Sequence, residues 1–530
     1  MSPKKLLSFA AIASALLGPI ALAAPSDAAA RQAARVRVRV VGISRTGARV
    51  QPSDVVARAR DGATYEFSGN GNTLRVPPGR YVFAGAVPTF RSGSTIQVSE
   101  TLVVTRVVIR SARTVALSAA TGRLLRTSLN AKAAALQSQT AVACLGAYGS
   151  SEIPAAAAGG PGVRVYATPI KASGIRFTYV SAWQNAAGTY QVTGSRAGGV
   201  PARPAFRASV RSLAKIRMVV RGGTDAAVDQ LYWDVVPHDR FSICDVYSGF
   251  SGQSDGPFQM MVYRTPGAWE TTLESSRGVA VDGYWYSDRT YRTGHRYTVT
   301  FNAAVVGPRI AAPAIDGNLF RFDASDLFDT PLLAGNQCCA RSTIVLRTGG
   351  QVVRRASLNT WHGRYSLQTV VHRRGWYEMA VRGTRWSPYG PEPPGLLSPR
   401  VAVTWRFHVD PTPPAGVTRP FPVMFTIYQP EGLNIGNDAP AGARTPVRIT
   451  IARAGPAIHH PLRYRIKTLR VQASADGGKT WHNLRVSRHA GGYLVVVPDP
   501  AHGFVSLRSM VTDVRGDAAT ETIYRAYGVA

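Results

Sequence analysis

Acidic residues are scarce in this 530-residue chain: 30 Asp and Glu stand against 62 Lys and Arg, a formal net charge of +32. A cation excess of that size permits acidic partners, among them anionic wall and membrane surfaces and nucleic acid. Lysine is scarce too, supplying only 7 of those 62 cations, as happens when a genome rich in G and C writes Arg for most of them. The excess is also spread out: residues 31–127 hold 16 Arg and 4 acids, net +12, and residues 415–530 hold 14 Lys and Arg and 7 acids, net +7. A dedicated basic tail is thereby excluded. The plain reading is a solvated basic surface, with an anionic cell-envelope polymer rather than nucleic acid as its expected partner.

Long apolar runs are missing after the N-terminus. No later stretch reaches the ~18 uncharged apolar residues that cross a bilayer, so no transmembrane anchor is expected. Residues 1–30 place Lys4 and Lys5 before an apolar run at 6–23 and small-residue sites after Ala23 and near Ala30, the layout of a secretory signal peptide. Gly18 and Pro19 interrupt that run, which suits cleavage better than anchoring. The expected location is secreted, extracellular or cell-wall associated.

Cysteine is limited to four residues with no Cys-x-x-Cys, which in an exported chain favours disulfides over metal or redox roles. Cys144 and Cys244 are the expected pair, because both fall in one module. Cys338 and Cys339 are adjacent; neighbouring α-carbons sit only about 3.8 Å apart, short of the usual disulfide span of about 4.4 to 6.8 Å. A strained vicinal bridge and two free thiols both stay open for that pair.

Helical periodicity is nearly absent; only "AKAAALQSQTAVA" at 131–143 is expected to be helical. Alternation with period two dominates instead. In "RVRVRVV", Arg35, Arg37 and Arg39 alternate with Val36, Val38 and Val40, giving one basic and one apolar face. "RYRIKTLRV" repeats the pattern with Arg463, Arg465 and Lys467 against Tyr464 and Ile466. Strands of this kind, punctuated by Gly, Pro, Asn and Asp, predict an all-β chain of tandem β-sandwich modules. The expected division is 31–127, 128–308, 309–410, a Pro-rich linker or extended edge at 411–420, and 421–530.

Several stretches together resemble the region that follows the catalytic domain in large secreted subtilisin-like serine proteases of actinobacterial type. They are "LRVPPGRYVF" and "RTVALSAATGR" in the first module, "VRSLAKIRMVV" and "YTVTFNAAVVGP" in the second, and "NIGNDAPAGA", "VQASADGGKTW" and "GFVSLRSMVTDVRGDAATETIYRAYGV" in the last. The resemblance implies a transthyretin-like or carboxypeptidase-regulatory-like sandwich first and immunoglobulin-like sandwiches afterwards. That family's Asp-Ser/Thr-Gly, His-Gly-Thr-His and Gly-Thr-Ser-Met-Ala motifs do not occur in this chain. The resemblance therefore implies the accessory half of such an enzyme without its protease domain, and no catalytic residue is carried over.

"SADGGKTW" resembles the hairpin signature of sialidase propellers, which carry one copy per blade. A single copy predicts a structural hairpin of Ser474, Asp476, Gly478, Thr480 and Trp481: Ser474 and Asp476 bond the turn backbone, Gly477 and Gly478 admit positive φ, and Trp481 packs back on the sheet. The strongest binding candidate is 282–297, where Tyr284, Trp285, Tyr286 and Tyr291 interleave with Arg289 and Arg292. Aromatic faces stack on sugars or bases and Arg contacts oxyanions, although Trp and Tyr are also ordinary strand residues. Asp323, Asp326 and Asp329 form the densest acidic run, read as turn residues in preference to a glycosidase pair or a calcium loop. His459 and His460, and the His408/Asp410 pair, lack the partners that a metal site or a catalytic mechanism needs. No residue is assigned to catalysis, a cofactor or a metal. The expected protein is a secreted non-catalytic binder or spacer. The alternatives are a stand-alone accessory partner of a secreted protease and a carbohydrate-active enzyme with an unrecognised site.

Overall fold

The computed structural model describes residues 35–530 apart from 68–71, 147–151, 223–229, 238–249, 255, 278–279, 330–333, 338–339, 363, 387–394, 412–415, 422 and 455–464. The chain is all-β: strand follows strand, and the helical turns among the described residues are two 3-10 pieces, Val210–Ser212 and Thr360–His362. The sheets stack as tandem sandwiches.

The basic-apolar alternation at the start builds the first layer. Val38 and Val40 are buried while Arg37 and Arg39 are exposed, so the strand Val36–Ile43 turns its valines inward. It pairs with Thr73–Val76 antiparallel and with Arg113–Ser118 parallel. Beneath it lies a six-stranded sheet ordered Thr64–Phe67, Ser53–Ala59, Gly79–Phe90, Gln97–Ile109, Arg164–Ala167, Arg123–Leu124. Val55, Ala57 and Phe83 of that sheet meet Val38, Val40 and Val115 in one core. Its other face, through Val56, Ala84 and Val104, meets Ala141, Ala155 and Phe177 of the next sheet. The six-stranded sheet is therefore covered on both sides, which explains the nearly unbroken apolar run in Gly79–Phe90.

That next sheet has seven strands, ordered Ile153–Gly159, Ala135–Leu145, Ile170–Asn185, Gly188–Val200, Phe258–Arg264, Ala214–Val220, Arg296–Phe301. The helix expected at 131–143 is not there. Ala135–Leu145 is a strand paired on both edges, and Ala141 to Leu145 are all buried. A short apolar run enclosed on both faces loses its alternation, so its sequence reads like a buried helix. A five-stranded sheet through Gly267–Arg277 and Ala280–Tyr291 packs Trp269, Leu273 and Tyr291 against Ile216, Met218 and Phe301 of the seven-stranded sheet.

In the last third, a nine-stranded sheet joins the two final modules. Arg400–Val409 pairs with the closing strand Ala518–Val529, with Arg400 opposite Tyr524 and Trp405 opposite Ala519. Both strands bury alternate side chains in the same phase, so one core runs from Ala304 to Val529. The expected divisions at 127/128, 308/309 and 410/421 are thus not sheet boundaries. Arg164–Ala167 joins the first module's sheet, and Ala334–Gln337 pairs with Ala280–Tyr291. The Pro-rich stretch contributes Thr418–Pro420 as an edge strand against Ala314–Asp316. No described helix is long and apolar enough to cross a membrane; the expected signal at 1–30 lies outside the described residues.

Candidate functional site

The aromatic-arginine segment is carried on Ala280–Tyr291, a strand flanked by Gly267–Arg277 and Ala334–Gln337. The side chains of Tyr284, Trp285 and Tyr286 lie outside the described residues. Arg289 and Arg292 are exposed, and Arg289 lies over the Tyr297 ring at 4.8 Å. The Arg292 backbone N–H donates to the Tyr297 hydroxyl at 3.0 Å. Tyr291 departs from its expected place on a ligand surface. It is 1% exposed, its ring packed in one core with Trp269, Leu273 and Ile216.

Tyr291 serves a buried cation instead. Arg264 Nε donates to Gln191 Oε1 at 2.7 Å, and its Nη1 donates to Thr271 Oγ1 at 2.7 Å and to the Tyr291 hydroxyl at 3.4 Å. The guanidinium sits 5.5 Å from the ring centres of both Trp269 and Tyr291. Burial lowers its pKa to about 10, so it stays charged at neutral pH, held by neutral dipoles and two rings. Sequence reading passed over Arg264, although counting by two from Val262 along "FQMMVYR" puts it on the inward face.

The "SADGGKTW" turn is closed by its own side chains. Ser474 Oγ donates to Asp476 Oδ1 at 2.7 Å and accepts from the Gly478 N–H at 2.9 Å. Asp476 accepts from the Lys479 and Thr480 N–H groups and from Thr480 Oγ1, the last at 2.6 Å. These donors, Thr480 foremost, hold the Asp476 carboxyl well below the usual carboxylate range. Gly477 and Gly478 have φ of 74° and 90°, and Trp481 Nε1 donates to the Gly478 carbonyl at 2.9 Å. Each signature residue is engaged within the hairpin.

That hairpin borders an outward face built from arginine and aromatic pairs. Arg341, Thr384, Arg400 and Tyr524 stand opposite one another across four strands of the nine-stranded sheet. Arg382, Ala402, Thr522 and Arg508 form the neighbouring row. Arg400 stacks on Tyr524 at 4.5 Å, Arg508 on Trp481 at 3.9 Å, Arg341 on Trp386 at 4.0 Å and Arg406 on Trp376 at 4.0 Å. Arg508 Nε also donates to Thr522 Oγ1 at 3.1 Å and Arg406 Nη1 to the Gly516 carbonyl at 2.9 Å; stacking on a ring itself leaves guanidinium N–H edges available for hydrogen bonds.

The other candidates make local contacts within the fold. Asp323 Oδ1 accepts from the N–H and the hydroxyl of Ser325. Asp326 is raised to about 6, by burial first and by Asp323 second. Asp329 lies 3.9 Å from Arg309. His408 meets Trp376 edge-on, and Asp410 lies 3.6 Å from Arg374. Cys144 is buried and is not a free thiol; Cys244, Cys338 and Cys339 lie outside the described residues, as do His459 and His460, and the Cys144–Cys244 pairing remains an expectation.

No protein-family model and no curated protein matches the chain. Among solved structures it is similar to the Bacillus anthracis TIE protein, at 10% identity over 68% of this chain and 65% of that one, with a TM-score of 0.11. It is similar also to Sidekick-1 immunoglobulin domains 1-5, at 9% identity over 88% of this chain and 90% of that one, with a TM-score of 0.10. At these scores neither likeness bears on fold or function.

Proposed function

We propose that this multi-module β protein is secreted, performs no chemistry of its own, and binds or spaces at the cell envelope or in the extracellular matrix through basic sheet faces that meet anionic polymer. The observation that carries this reading is the register of the nine-stranded sheet, which sets Arg341, Arg400, Arg382 and Arg508 on one outward surface beside stacked rings. Guanidinium groups held flat on aromatic rings lose less entropy when they take up an oxyanion than free side chains do. The test is retention of the full-length protein on isolated anionic wall polymer across a salt series. Retention should fall steeply as ionic strength rises from ~0.05 to ~0.5 M, where the Debye length shrinks from over ten to a few ångströms. Retention unmoved by salt would count against it.

A second reading is favoured by the stretches that resemble the accessory region of subtilisin-like proteases. In it the chain docks on a secreted protease or its substrate. It predicts co-purification with a protease from culture fluid, whereas an envelope binder partitions with wall fragments.

A further inference from the structure

The layered contact between the six-stranded and seven-stranded sheets ends in an open groove of about 600 Å³. Arg58, Arg60, Arg80 and Arg106 line it, with Val82 and Ile175 among its apolar residues. The strand register produces this arrangement. Arg58 stands opposite Val82, and Val82 stands opposite Arg106, across three adjacent strands. Arg80, two residues before Val82, shares its face. The Arg60 N–H donates to the Arg80 carbonyl at 3.0 Å, which draws a fourth guanidinium to the same end.

Three of these cations, Arg60, Arg80 and Arg106, are positioned but not neutralised there. Arg106 Nη2 donates to the Lys171 carbonyl at 2.7 Å, tying the two sheets together. Among the described residues, Arg60, Arg80 and Arg106 make no ion pair. Asp61, in the adjoining turn, accepts its own loop's Ala63 N–H. Cations of one sign along apolar walls concentrate the field and raise the local concentration of anions. Guanidinium forks match carboxylate and phosphate oxygens. The apolar floor narrows the choice, since a bare phosphate chain gains nothing from Val82 or from Val108, which is 45% exposed beside it. A sugar ring has C–H faces that cover such a floor.

We propose that this groove binds an acidic glycan, its rings lying over Val82 and its carboxylates paired with Arg80 and Arg106. The proposal rests on the envelope-binding reading and gives it a ligand class and a place. The experiment is calorimetric titration of the full-length protein with an oligomer of galacturonate, with inorganic tripolyphosphate as the ring-free comparator. The oligomer should bind at least about tenfold more tightly than tripolyphosphate, and Arg80→Gln/Arg106→Gln should weaken it by about tenfold or more, a change of ~1.4 kcal/mol. Arg354→Gln/Arg355→Gln, which removes the same charge from an exposed strand elsewhere, should change it by less than about twofold. Thermal midpoints of both variants check that the fold is intact. Equal weakening by the two double variants overturns the groove and leaves diffuse basic faces. Tripolyphosphate binding as tightly as the oligomer overturns the glycan. Absence of salt-sensitive wall retention in the wild type overturns the underlying reading.

Discussion

Glu521 is a fully buried carboxyl in the core of the last sandwich. Its Oε2 accepts from the Thr426 N–H at 3.0 Å, while its Oε1 and the nearby Tyr428 hydroxyl have no hydrogen-bond partner among the described residues. Burial raises its pKa to about 8 from an ordinary 4.5, so at neutral pH the folded protein carries it protonated. The folded state then holds a proton that the unfolded chain has released. Stability from this group is fully present below about pH 4.5 and is lost as pH rises through about 8, at up to ~1.4 kcal/mol per pH unit. Glu521→Gln should flatten that slope, read from urea midpoints at acid, neutral and alkaline pH; unchanged slopes would show that the carboxyl is not the titrating group. Gly478 is constrained differently. Its φ is +90°, and a Cβ there would lie 2.7 Å from the Tyr524 ring. Gly478→Ala should therefore cost more than about 1 kcal/mol in urea unfolding. The hairpin was legible in "SADGGKTW" because the hydrogen bonds that close its turn run between residues of the motif. The burial of Glu521 was not, because it depends on strands some 100 residues away in sequence.

The strands themselves read well wherever one face meets solvent. Arg37 against Val38 reports its own orientation, and so does the alternation in Arg400–Val409. Reading failed where a strand is enclosed, as in Ala135–Leu145, since burial on both faces erases the period that separates strand from helix. It also placed Tyr291 outside when the inward side of its strand required an aromatic beside Arg264. Arg400–Val409 offers the sharpest test at this scale. Trp405 is fully buried and its Nε1 donates to the Met424 carbonyl at 2.6 Å, linking the shared sheet to the four-stranded sheet opposite. Trp405→Ala should cost about 3 to 5 kcal/mol. Hydrogen exchange should report the loss in both final modules together, and a loss confined to one would contradict the common core.

Across the whole molecule, Asn437 bridges the second and last modules. It lies in the left-handed region with φ of 64° and is fully buried. Its Nδ2 donates to the Gly222 and Asn302 carbonyls at 2.6 and 2.8 Å, and its Oδ1 accepts from the Ala304 N–H at 3.0 Å. Arg221 Nη1 reinforces the contact by donating to the Leu433 and Asn434 carbonyls. Asn437→Ala leaves these groups without their partner, each unmade bond costing ~1 to 3 kcal/mol where it is buried. Calorimetry should then separate the unfolding of the earlier sheets from that of residues 304–529, and a superimposable trace would mean the contact transmits nothing. Nothing local to "NIGND" announces this long-range task, which is visible only once Gly222 and Ala304 are brought to it.

The pairing of Arg400–Val409 with the closing strand also decides what a protease could achieve. A cut within residues 411–420 severs the chain but not the molecule, since seven residue pairs from Arg400 to Arg406 still zip the two pieces together. Such nicked material would elute as intact protein and come apart only in denaturant. The same halves made separately would each present a bare strand, ready to recruit whatever backbone came near.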